Sequence, residues 1–321
     1  QEETSGACDR AAKLTEHQMR IFKPRRDVAA DLRALFGEEV SGLKMTTVAD
    51  SMHSLSCHNM TLPCSEKGCV SSKLALSVMA EADRQMCLKY NGAAGGGEAT
   101  ALSLFPFTQE ILTNMRGALH GSSGKGFRTK FVLFSGHDTV VAPLLAALGA
   151  YDCRWPPYAS HVAFELWSKP SPSGGGGGDG GSKDEPPRRV LSDEGGGSTA
   201  AVSAAAKAAG AGGTGSGGGR GRVEEAAAMP RGSLSLSGVS AGGGGGEGIG
   251  LVRRMEEEEE EAYVRVTFQG KPVTHRITDC PSEGPYGREF CPLSQFAKTI
   301  ARALGPHDTL DQACLALDGV P

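Results

Sequence analysis

Residues 131–148 read FVLFSGHDTVVAPLLAAL, and their order decides the fold. Phe131, Val132, Leu133 and Phe134 form an unbroken apolar run, the pattern of a strand buried on both faces of a parallel sheet. Ser135 and Gly136 interrupt it, and Val140 to Leu148 then reads as a helix whose first turn tolerates Pro143. His137 and Asp138 therefore fall past the carboxyl end of a strand and at a helix N-terminus, where open α/β sheets bind ligands. Backbone amides and the helix dipole at that point favour an anion. A donating His137 can hold an anion oxygen, and Asp138 can protonate a leaving alkoxide. The competing reading is structural, with Asp138 as a helix cap and His137 as a satisfied loop histidine.

Working outward, the upstream chain has a helical period. Val28, Leu32, Leu35 and Phe36 follow Asp27 as a cap; Ala75, Val78, Met79, Ala82 and Met86 form one stripe after Ser71 and Ser72; Phe107, Ile111, Leu112, Met115 and Leu119 form another. These stripes are core faces. Downstream, Val162, Phe164 and Leu166 alternate with Ala163, Glu165 and Trp167, and Val264, Val266 and Phe268 alternate with Tyr263, Arg265 and Thr267. Both runs read as half-buried strands that pair as a hairpin. Pro292 then opens a final helix through Leu293, Phe296, Ile300 and Leu304. Helices flanking strands throughout predict an α/β fold.

The hairpin carries a large insertion. Of the 46 glycines, 27 lie between Ser171 and Gly250, in a stretch without a single aromatic residue. Such chain buries too little apolar surface to offset its ordering entropy, so residues 168–261 are expected to be disordered and to end in the solvated acidic run Glu256 to Glu261. Lengthening a hairpin loop from about 4 to about 94 residues costs roughly 3 kcal/mol, which a domain of this size tolerates. Residues 1–167 and 262–321 are then one domain, with 8–120 a largely helical subdomain. The glycines from Gly215 onward follow no strand and are no dinucleotide fingerprint, and Gly121 to Lys125 lacks the spacing of a phosphate loop.

With 321 residues and a net charge of −4, the chain has no basic field to suit a nucleic-acid partner. The most apolar stretch, Val140 to Ala150, is too short to span a membrane and contains Pro143. No signal peptide is visible after Gln1, so any leader or membrane anchor is expected only upstream of Gln1. Oligomeric state is not encoded in any legible pattern.

The run from Phe131 to Trp167, FVLFSGHDTVVAPLLAALGAYDCRWPPYASHVAFELW, resembles the C-terminal motif of the histidine acid phosphatases. HNMTLPC from His58 to Cys64 is similar to the HNxTLP stretch of that family's helical subdomain, and PFTQEILTNM from Pro106 to Met115 resembles the helix preceding its His-Asp strand. YVRVTFQGKPVT from Tyr263 and CPLSQF from Cys291 are most similar to the 2-phosphoxylose phosphatase branch. The resemblance implies a phosphoglycerate-mutase-like sheet with flanking helices and a helical subdomain, here without the family's first strand. It also implies hydrolysis of phosphomonoesters through a phosphohistidine, with His137 and Asp138 stabilising the phosphoryl group and protonating the leaving oxygen. Small phosphomonoesters or a phosphorylated sugar are the implied partners. The branch likeness implies a phosphorylated xylose of the glycosaminoglycan linker, while broad acid phosphatase or phytase activity is the alternative within the family. Neither cofactor nor metal is implied.

The family's nucleophile sits in an RHGxRxP motif, and the sequence contains no Arg-His-Gly triplet. The chain as it stands is therefore expected to be inactive. It reads as the C-terminal portion of such an enzyme, or else as a non-catalytic secreted homologue that uses the cleft or its acidic, glycine-rich arm for binding. Among the nine cysteines, the resemblance implies bridges Cys280–Cys291 and Cys8–Cys314 and leaves Cys57, Cys64, Cys69, Cys87 and Cys153 unassigned. Asn59-Met60-Thr61 is a glycosylation sequon at a place where family members carry one. Together these features imply the secretory pathway: Golgi, lysosome or the extracellular space. A zinc site built from Cys57, Cys64 and Cys69 with His53 or His58 matches no standard spacing.

Overall fold

The computed structural model describes residues 8–23, 25–92, 96–120, 130–168, 188–189, 201–206, 262–281 and 286–320. The first part is helical: α1 (Asp9–Ile21), α2 (Arg26–Phe36), α3 (Met45–Cys57), α4 (Ser72–Asn91) and α5 (Gly96–His120). A two-strand ribbon, β1 (Cys64–Ser65) and β2 (Gly68–Cys69), lies between α3 and α4. The three apolar stripes fall on α2, α4 and α5. Ser71 caps α4, its hydroxyl accepting the Leu74 amide at 3.2 Å. Asp27 does not cap α2: it stands inside the first turn, and its carboxylate is taken by Arg25 at 2.5 Å.

Buried Glu81 on α4 clasps the connection between α1 and α2. It accepts the Arg25 amide at 2.8 Å and Arg84 at 2.7 and 3.0 Å. Arg84 also donates to the Lys23 carbonyl and lies 4.6 Å from the centre of the Phe22 ring. A buried carboxylate is tolerable only when paired in this way.

The second part is the sheet. After β3 (Phe131–Gly136) and α6 (Asp138–Ala147) come β4 (His161–Ser168), β5 (Arg188–Arg189), β6 (Ala201–Ala206), β7 (Ala262–Phe268), β8 (Lys271–Pro272) and β9 (Cys291–Pro292). Two further helices follow, α7 (Leu293–Ala301) and α8 (Leu310–Leu315). The strand order is β3-β6-β4-β7-β8, with β5 beside β4 and β9 beside β7. Only the β3–β6 pair is parallel among the described strands. The fold is mixed α/β, as expected.

The two alternating runs pair antiparallel, Phe164 opposite Val266 and Leu166 opposite Val264, but the connection between them is not a simple hairpin loop, since β5 and β6 lie in it and both pair with β4. Arg265, opposite Glu165, bonds that carboxylate at 3.3 Å and Glu289 at 2.8 Å. One face of the pair packs against α5, α6 and α7 in a core that includes Ile111, Leu145, Phe164, Val266 and Phe296. A second cluster joins α2, α3 and α4 through Val28, Leu32, Met52 and Val78. None of the described helices is long and apolar enough to cross a membrane.

Four further expectations change. β3 is not buried on both faces: Phe131 and Leu133 are 53% and 60% exposed, because β3 is the outer strand and nothing described covers that face. Its other face packs on α5, with Phe134 meeting the Phe107 ring edge-on at 5.0 Å. The helix after His137 begins at Asp138, two residues early, which puts Pro143 in its second turn rather than its first. The helix opened by Pro292 is not the last, since α8 follows it. Finally, the span 168–261 contains two described strands, β5 and β6, and β6 falls in a glycine-free stretch, where ordering costs less backbone entropy. The Gly121–Lys125 loop, the glycines from Gly215 and the acidic run lie outside the described residues.

Four disulfides are present: Cys8–Cys314, Cys64–Cys69, Cys87–Cys153 and Cys280–Cys291. The first and last are the two pairs that the resemblance implies. Cys57 is free and exposed. The Cys64–Cys69 bond removes two thiolates from the zinc alternative.

Candidate active site

β3 delivers His137 and α6 receives it. His137 has an extended backbone (φ −98°, ψ 173°) and is the N-cap residue of α6, its carbonyl accepting the Val140 and Val141 amides at 2.9 and 3.1 Å. Its side chain makes no cap bond, so the exposed imidazole is left to face solvent beside the first turn. Asp138, half-buried, is the first helical residue, and its Oδ1 accepts the Thr139 amide at 2.7 Å. That bond satisfies one of the first-turn amides that have no partner within the helix. Gly136 makes the junction tight: a Cβ there would stand 3.2 Å from the Val140 Cβ, so bare backbone lets the end of β3 approach α6.

An aromatic wall stands near Asp138. Tyr90 from α4 meets Tyr151 at 6.4 Å with rings at 70°, and both are buried. Trp155, after Tyr151, lies 5.8 Å from the His53 ring on α3 and fixes its amide on Asp83 at 2.8 Å. The Cys87–Cys153 bridge ties α4 to the same loop. Burial pushes the Tyr90 phenol up, and the Asp138 charge adds to it. Tyr151 is raised strongly, first by burial and then by Asp83, Asp152, Tyr90 and Asp138. The more exposed Tyr158 is raised by desolvation and by Asp50, Cys57 and Asp138, against a lowering bond from Ser54. All three phenols thus remain protonated hydrogen-bond donors at neutral pH. Among the described residues the Tyr151 hydroxyl has no hydrogen-bond partner, although the residue is only 7% exposed.

These shifts have a measurable consequence. A phenol raised in the folded state contributes stability that is whole below the ordinary value of 10.0 and is lost as pH climbs beyond it. In an alkaline titration, the phenolate absorbance of Tyr90 and Tyr151 is expected to appear only together with cooperative unfolding. Ionisation of every tyrosine near 10 in a still-folded protein would contradict the burial of this wall.

Sequence reasoning named His137 and Asp138 and missed the tyrosines. No period marks Tyr151 or Tyr158, which lie in a loop brought back to α4 by the Cys87–Cys153 bridge. The other sequence-named residues lie elsewhere in the chain. Asn59 is exposed at a positive φ of 53° in the turn after α3, and Cys8–Cys314 and Cys280–Cys291 are structural ties. His53 and His58 belong to α3 and its C-cap, and the wall includes only the former. Among the described residues, no group of His, Cys, Asp and Glu is placed to hold a metal ion.

A His-Asp pair past the end of a strand and at a helix N-terminus stands where α/β scaffolds favour an anion. Residues 89–185 match the family model of the histidine phosphatase superfamily (branch 2), so the resemblance carried by PFTQEILTNM and the His137–Asp138 run is borne out. The chain is 30% identical over 186 residues to 2-phosphoxylose phosphatase 1 of Mus musculus, covering 52% of this chain and 36% of that protein. It is 32% identical over 158 residues to human prostatic acid phosphatase, covering 48% and 38%. Counting factor 60 of Dictyostelium discoideum is 42% identical over 67 residues, covering 21% and 15%. The chain spans little more than a third of the length of the first relatives it matches.

Proposed function

We propose that this chain supplies the phosphate-binding and proton-donating part of a histidine phosphatase that hydrolyses small phosphomonoesters. The observation that carries the reading is the placement of His137 as the N-cap and Asp138 as the first residue of α6, with the imidazole exposed and making no cap bond. His137 donates to a phosphoryl oxygen. As the ester P–O bond breaks, Asp138 relays a proton to the leaving alkoxide, and the phosphoryl group passes to a nucleophile. The Asp138–Thr139 bond orients the Asp138 carboxylate.

Likeness to relatives named 2-phosphoxylose phosphatase 1 supports a phosphorylated xylose as substrate. Four disulfides and the exposed sequon at Asn59 support a secretory-pathway location and a glycoprotein. We assign residues 1–167 and 262–321 to a single phosphatase-like unit on the strength of the β4–β7 ladder. The second reading, a secreted homologue that only binds, is favoured by one observation: the sequence has no Arg-His-Gly triplet.

The test is titration of the chain with inorganic phosphate, followed through the His137 imidazole signals by NMR. The expected result is a saturable shift that is lost in His137→Ala. An unchanged His137 spectrum at saturating phosphate would overturn both the site and the function. Sequencing the transcript through the frame upstream of Gln1 separates the two readings: an Arg-His-Gly after a strand supports the enzyme, and a start codon close to Gln1 supports the binding homologue.

A further inference from the structure

The strand that carries His137 and Asp138 is joined to the sheet through the glycine-rich insertion. β3 is the outer strand, and among the described residues its ladder partner is β6. The register is unbroken from Phe131 opposite Ala201 to Gly136 opposite Ala206, so the last pair stands directly before His137. On its other edge β6 pairs with β4, from His161 opposite Ala205 to Glu165 opposite Ala201. Ala201 to Ala205 are thus paired on both sides, and α6 also packs against β6. β3 and β4 do not pair with each other.

We infer that Ala201–Ala206 is a positioning strand for the candidate site: by bridging β3 to β4, it holds His137 and Asp138 in register with the β4–β7 sheet. Without β6, β3 keeps its side-chain packing through Phe134 on Phe107 but has no ladder among the described residues, and unpaired outer strands open locally far more readily than the core. The sequence AVSAAA is alanine-rich and so a weak strand former. The docking is consequently poised, and small changes in strand propensity shift it in either direction. The insertion then contributes to function at one short segment, whatever the remainder of its length does.

The experiment uses the full 321-residue chain in two variants. Ser203→Pro with Ala204→Pro removes successive amide donors, which point to opposite edges of a strand. Ala205→Thr, at the register position of Ser135 and His161, adds a β-branched residue. Hydrogen exchange of the β3 amides is read together with the His137 imidazole spectrum. The proline variant is expected to lose protection at residues 132–136 by about tenfold or more and to broaden the His137 signals, while β7 and α4 stay protected. Ala205→Thr is expected to raise β3 protection. Unchanged β3 protection in the proline variant would make the insertion a passive spacer and overturn the inference. Protection lost across β7 and α4 as well would make β6 a general structural element and likewise overturn it. Because exchange is read without phosphate, this outcome is independent of whether His137 binds phosphate.

Discussion

Replacing Cys8 and Cys314 with serine is expected to destabilise the protein by roughly 5 kcal/mol, near the upper end of what a disulfide contributes. The bridge joins residues 306 apart in sequence and so closes nearly the whole chain into one loop. The closure entropy it removes from the unfolded state grows only with the logarithm of loop length, so the nested Cys87–Cys153 and Cys280–Cys291 bridges reduce its effect little. The folded side adds to this. Cys8 precedes α1 and Cys314 lies in α8, and the small cluster between them, Ala11, Leu14, Ala99, Leu102 and Ala313, buries three alanines and two leucines. Such a cluster holds two chain ends together weakly by itself. Urea unfolding of the double variant, in a Cys57→Ser background to prevent thiol exchange, measures the effect. A loss under about 1 kcal/mol would mean that packing and the Arg10 hydrogen bonds to the Ala316 and Asp318 carbonyls dock α1 to α8 without the bridge.

What could be read from the chain follows from what each signal depends on. The helical stripes on α2, α4 and α5 and the alternation in β4 and β7 are local periodicities, and each appears where its period places it. The His137–Asp138 junction was legible for the same reason, being a strand, a turn and a helix in unbroken succession. The burial of β3 was not legible. An apolar run states what a strand prefers, but whether its face is covered depends on elements distant in sequence. Tyr151 was missed because its environment is assembled by α4 and the Cys87–Cys153 bridge. β6 was missed because composition averages over a window, and six alanine-rich residues vanish in a stretch dominated by glycine. Both omissions are tertiary effects on segments without periodicity.

Para-nitrophenyl phosphate turnover by the 321-residue chain is expected to stay at background, with His137→Ala indistinguishable from the parent. Magnitudes decide this. A positioned general acid contributes about 10²- to 10⁴-fold, equivalent to about 3–5 kcal/mol of barrier. Enzymatic phosphate-monoester hydrolysis reaches accelerations as large as ~10²¹-fold over the uncatalysed reaction, so Asp138 alone leaves most of the barrier standing. Splitting the reaction through a covalent intermediate needs an activated nucleophile, and the resemblance places that role in an Arg-His-Gly motif that this sequence does not contain. Phosphate binding at His137 and silence in the turnover assay are therefore compatible results: the first reports the helix N-terminus and imidazole, the second the missing attack on phosphorus. Rapid turnover abolished by His137→Ala would reverse the division of labour. It would place a nucleophile among His17, His53, His58, His120, His161, His275 and His307, and of these His53, packed against Trp155 in the aromatic wall, is the one to replace next.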